Sequence, residues 1–95
     1  MSHIDLHAHH TLSHAEAKSA AEELASDLAR KFDIEYAWEG DHIHFERPGA
    51  SGSIRVGEQD IHITARLGIM LMFLRTRIEE EIVRYLSEHF GCTFP

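Results

Sequence analysis

Apolar and polar positions alternate along the first ten residues: Ile4, Leu6 and Ala8 share one parity, and His3, Asp5, His7 and His9 the other. Successive side chains of an extended chain point to opposite faces, so this alternation predicts a strand with one apolar side and one side of imidazoles and a carboxylate. The spacing then changes to threes and fours, with Ala17, Ala20, Ala21, Leu24 and Leu28 in one stripe and Glu16, Lys18, Glu23, Asp27 and Lys31 largely outside it. That pattern predicts an amphipathic helix from about Ser13 to Lys31. Ser13 stands three residues before Glu16, the spacing of a capping box. A stripe made mostly of alanine lets such a helix lie close against strands.

Period two returns at Ile34, with Ile34, Tyr36 and Trp38 in phase as core positions, followed by a turn at Gly40-Asp41 and by Ile43 and Phe45 against His42, His44 and Glu46. Pro48 to Gly52 reads as a second turn or short loop, Ile54 and Val56 as a third short strand, and Gly57 to Asp60 as a further reversal. Ile61, Ile63 and Ala65 alternate with His62, Thr64 and Arg66, which completes a four-strand meander. Gly68 breaks the alternation. From about Ile69 to Phe90, Leu71, Leu74, Ile78 and Ile82 recur at helical spacing, and Gly91 suits the residue that ends a helix. Arg75 with Glu79, Arg77 with Glu81, and Glu80 with Arg84 are opposite charges four apart on its polar side. The order β-α-β-β-β-β-α predicts an α+β two-layer sandwich, with an antiparallel sheet of about five strands and both helices on one face. One domain is expected over residues 1–91, with 92–95 as a C-terminal tail.

Length and charge narrow the function classes. Ninety-five residues are too few for a barrel enzyme of about 250 residues and enough for one modest core, a size at which a homodimer would add useful burial. A formal charge of -7 repels phosphate backbones and anionic membranes, so nucleic acid is not an expected partner. Nine histidines make that charge soft, and solubility should fall towards about pH 5 to 6. The single cysteine, Cys92, excludes an internal disulfide and fits a reducing compartment. No stretch is apolar enough for a transmembrane segment and no leader pattern opens the chain, so a cytoplasmic protein is expected.

Five of the nine histidines fall within the first fourteen residues. With the apolar alternates turned to the helices, the opposite sheet face collects His3, Asp5, His7, His9, His42, His44 and His62 from three strands. Histidines two apart on a strand have Cα atoms roughly 6.6 Å apart, compatible with bridging one divalent transition metal such as zinc, nickel or copper. The same composition also suits a half-exposed sheet surface with no ligand. Asp5-Leu6-His7-Ala8-His9 resembles the opening metal motif of amidohydrolases and related phosphoesterases, but the barrel that supplies their remaining ligands does not fit in this length. No serine sits in a nucleophile turn, and Glu79-Glu80-Glu81 reads as a solvated helix face. Met70, Met72 and Phe73 make the start of the second helix apolar nearly all round. Either that turn is buried between sheet and first helix, or it is a dimer seam or a patch that meets a hydrophobic surface.

Across nearly its whole length the chain resembles the small bacterial polyhydroxyalkanoic acid system family, encoded near genes for polyester storage granules. The resemblance is carried by the run Ile4 to Ser13, by Tyr36-Ala37-Trp38-Glu39-Gly40-Asp41, by His44-Phe45-Glu46-Arg47-Pro48-Gly49, and by Leu67-Gly68. It implies a non-enzymatic accessory role in granule synthesis, organisation or regulation, with the polyester surface or a granule protein as partner. It supplies no active site and no required cofactor. Two further expectations stand beside it: a metal- or pH-responsive protein using the histidine face, and a small acyl-ligand carrier with a pocket between the second helix and the sheet.

Overall fold

In the computed structural model, which describes residues 2–91, the first strand β1 spans Ser2–His9 and is followed by helix α1, His14–Phe32. The predicted tail, with Cys92, lies outside the described residues. The capping box forms: the Ser13 hydroxyl accepts from the Glu16 backbone N–H at 3.2 Å, and the Glu16 carboxylate accepts from the Ser13 N–H at 3.2 Å. Asp33 ends the helix in the left-handed conformation, φ 55°, with its N–H on the Ala29 carbonyl.

Strands β2 (Glu35–Glu39), β3 (His42–Arg47), β4 (Ala50–Val56) and β5 (Asp60–Leu67) form the predicted meander. The spatial order is β1-β5-β4-β3-β2, antiparallel throughout. Helix α1 therefore carries the chain across the whole sheet, and the first two strands in sequence become its two edges. The register keeps every apolar alternate on one face: Leu6 opposes Ile63, Ile63 opposes Ile54, Ile54 opposes Ile43, and Ile43 opposes Trp38. Ala17, Ala21, Leu24, Ala25 and Leu28 of α1 are buried against that face.

The second helical region differs from a single α-helix. Ile69–Leu74 is a 3-10 helix, Arg75–Tyr85 is helix α2, and Leu86–Phe90 widens into a π turn closed by Gly91 at φ 60°. Ile78, Ile82, Leu86 and Phe90 are its buried positions, and their i, i+4 spacing continues through the π turn. The predicted Arg75–Glu79 pair is present at 3.9 Å. Glu81, instead of meeting Arg77, binds Lys31 of α1 and Arg84, each at 2.6 Å, and so ties the two helices together. Arg84 is thereby drawn to Glu81 and away from the expected Glu80. Tyr36 and Trp38 pack on the core half-buried, because both polar tips reach Glu22 of α1: the Tyr36 hydroxyl donates to Oε2 at 2.5 Å and the Trp38 indole N–H to Oε1 at 2.7 Å.

Candidate functional surfaces

Between β5 and α2 the chain turns at Gly68, whose N–H donates to the Gly49 carbonyl at 2.8 Å. Side chains three apart eclipse one another along a 3-10 helix, so Ile69–Leu74 presents three rows. Leu71 and Leu74 form the row that packs on the core, with Leu71 against Gly49. The other two rows, Met70 with Phe73 and Ile69 with Met72, face outwards. Ile69 is 77% exposed, Met70 82%, Met72 44% and Phe73 75%. The three residues singled out from sequence therefore lie outside the core, and Ile69 joins them; its place one 3-10 turn before Met72 was the available signal. Polar side chains do not dilute the segment, whose sequence is Ile-Met-Leu-Met-Phe-Leu.

The sheet face away from the helices carries all seven residues of the predicted histidine cluster. Register sorts them into two groups. His7 opposes His62 on β5, and Asp5 opposes Thr64. The His7 Nε2 lies 2.7 Å from Asp60 Oδ2, and the His62 Nε2 lies 2.6 Å from Asp5 Oδ1. The His7 ring centroid stands 5.3 Å from that of His62 and 5.5 Å from that of His9. On β3, His42 and His44 stack at 6.1 Å with 17° between their planes, and His44 is 3.7 Å from Glu39. Arg55 of β4 opposes both His62 and His42 and stands between the groups. Two strand steps, roughly 9.6 Å, separate the groups. His3, opposite Arg66, is exposed. Among the described residues no three His, Cys, Asp or Glu side chains converge as metal ligands. The imidazole nitrogens of His7 and His62 instead meet carboxylates.

These pairs have an electrostatic consequence. The hydrogen bond with His7 holds the Asp60 carboxyl below the ordinary aspartate range, and that with His14 does the same to Asp41. Sequence periodicity placed neither Asp60 nor Asp41 in such a pair, because both stand at turns where parity assigns no face. His10, next to the row, turns inwards: it is 4% exposed, its Nδ1 accepts from the Leu12 N–H at 3.2 Å, and its ring meets the edge of Phe90 at 5.9 Å.

The apolar space between α1, α2 and the sheet, lined by Leu28, Phe45, Ile63, Ile78 and Ile82, amounts to about 50 Å³. Sites that enclose small molecules run to roughly 300–1,000 Å³, so the interior expected for an acyl carrier is filled by side chains. A broader depression of about 670 Å³ lies on the open face over Ala37, Ser51, Gly52, Ser53 and Thr64, where side chains are small.

A family model described as "Putative polyhydroxyalkanoic acid system protein (PHA_gran_rgn)" matches residues 4–90. No curated protein matches the chain. Among solved structures, the NMR structure of PA4090 from Pseudomonas aeruginosa is similar with a TM-score of 0.58 and 6% identity, covering 100% of this chain and 96% of that one. At that identity the likeness concerns the fold.

Proposed function

The chain belongs to the polyhydroxyalkanoic acid system family, and from that premise we propose that it is a non-enzymatic accessory protein that docks on the polyester granule through the 3-10 segment Ile69–Leu74. The supporting observation is the exposure of four large apolar side chains in four of five consecutive positions, Ile69, Met70, Met72 and Phe73. A folded domain gains nothing by leaving such a cluster in water, whereas a hydrophobic surface would take it up. Methionine and phenylalanine suit an irregular polymer surface, one by flexibility and the other by area. Burying each of these side chains is worth about 1.5–3 kcal/mol, so four together would hold the protein against salt, which screens charges and leaves apolar contact intact. The net charge of -7 would then keep coated surfaces apart.

Replacing Met70 and Phe73 together by glutamate tests this. Both side chains are exposed, so the variant should retain its fold by circular dichroism while its affinity for isolated granules drops by roughly a hundredfold or more. Unchanged partitioning of a folded double variant would remove the patch from the account.

A further inference from the structure

Among the described residues strand β1 is a sheet edge with no strand partner on its outer side, and its flanks reveal which way its backbone groups point. The His10 N–H donates to the Gln59 carbonyl at 2.9 Å, on the β5 side, while the His3 carbonyl accepts from Arg75 Nε at 3.2 Å. In an antiparallel strand the N–H and C=O of one residue point the same way, and that direction alternates along the chain. Even-numbered residues therefore bond to β5, and His3, Asp5, His7 and His9 turn their backbone groups to the open edge, where Arg75 holds only the His3 carbonyl. Natural edges are blunted by proline, lysine, bulges or shortness. The other edge, β2, is five residues long with glutamate at both ends. β1 is eight residues long, contains no proline or lysine, and runs without a bulge from Ser2 opposite Leu67 to His9 opposite Asp60.

We propose that two copies of the chain associate through this edge, β1 against β1 antiparallel, in the register that sets Leu6 opposite the partner subunit's Leu6. The choice follows from parity and charge. Registers of the other parity would oppose an outward backbone group to one already bonded to β5. Of those that remain, the register centred on residue 5 faces Asp5 with the partner subunit's Asp5, and the register centred on residue 7 faces His7 with the partner subunit's His7. The register centred on Leu6 pairs residues 3–9 throughout and faces each Asp5 with the partner subunit's His7, an acid against a base twice over at its middle, with His3 against the partner subunit's His9 at its ends. It also sets Ile4 against the partner subunit's Ala8, so the apolar faces run on into one ten-stranded sheet with all helices on one side. Asp5, already 2.6 Å from His62, would then lie between imidazoles of both copies.

Sedimentation equilibrium of the full chain over a micromolar concentration series should give twice the monomer mass. His7→Pro removes an outward N–H and no backbone bond to β5; it gives up the side-chain bond to Asp60, at some cost in stability, but should leave the circular dichroism of the chain unchanged and abolish the dimer. On a Cys92→Ser background, Leu6→Cys should form a disulfide-linked dimer on mild oxidation and Asp5→Cys should not, which reads the register even if the proline variant fails to fold. A monomeric wild type, a dimer that survives His7→Pro in a folded chain, or a cross-link at Asp5→Cys in preference to Leu6→Cys would each overturn the proposal.

Discussion

Asp60 shows how much a single residue on the histidine face contributes beyond its place in the alternation. Its carboxyl titrates below the ordinary aspartate range because His7 holds it by a hydrogen bond at 2.7 Å. A group whose folded pKa is depressed stabilises the native state above its unfolded value and loses that contribution as pH falls through the folded one. The stabilisation should therefore be complete at neutral pH, begin to fall below about pH 4, and be lost as pH drops through the lowered folded value. Asp60→Asn is expected to lower the urea midpoint at about pH 7 and to lower it by less at about pH 3, which flattens the acid limb of the stability profile. An equal loss at both pH values would mean that Asp60 acts through packing at the β4–β5 turn. Glu22 makes a comparable point on the other layer. Its position on the helix wheel is ordinary, yet one carboxylate takes both the Tyr36 hydroxyl and the Trp38 indole N–H. Tertiary pairs of this kind join residues fourteen and sixteen apart, and no local pattern encodes them.

Among the elements, the strands and α1 were legible because each rests on a local rule. Period two assigned the strand faces correctly, and the Ser13–Glu16 spacing located the helix start. Strand order was not legible: β1 could have joined either end of the meander, and only its pairing with β5 settles the matter. The second helix was legible in its extent and its buried positions from Ile78 to Phe90, while its 3-10 start and its π turn were not. Ile69–Leu74 repeats every three residues, so Leu71 and Leu74 anchor it while the intervening side chains are left outside. The sheet also depends on one glycine that alternation alone would pass over. Gly52 opposes Phe45 in the register, and a Cβ placed on it would stand 2.6 Å from the Thr64 carbonyl oxygen. Gly52→Ala should therefore cost about 1–3 kcal/mol by forcing β4 and β5 apart, seen as a lower urea midpoint at unchanged slope. A stability equal to wild type would show that the two strands yield without cost.

At the scale of the whole molecule, the layers divide the work. The helix layer and the inner sheet face are consumed by the core, and the space left between them, about 50 Å³, is too small to enclose a ligand. No helix among the described residues is long and apolar enough to cross a membrane. Among the described residues three surfaces stand out as places to meet partners: the apolar 3-10 segment, the unpaired β1 edge, and the open face with its histidine pairs. The proposed docking assigns the first of these to a hydrophobic polymer surface, in a chain that belongs to the polyhydroxyalkanoic acid system family. The measurement that tests the central claim most directly is co-sedimentation of the wild-type protein with isolated polyester granules at low and high salt. The account predicts that the protein stays with the granules at high salt, because the contact is apolar. Protein that remains in the supernatant at every salt concentration, or that leaves the granules as salt rises, would contradict it.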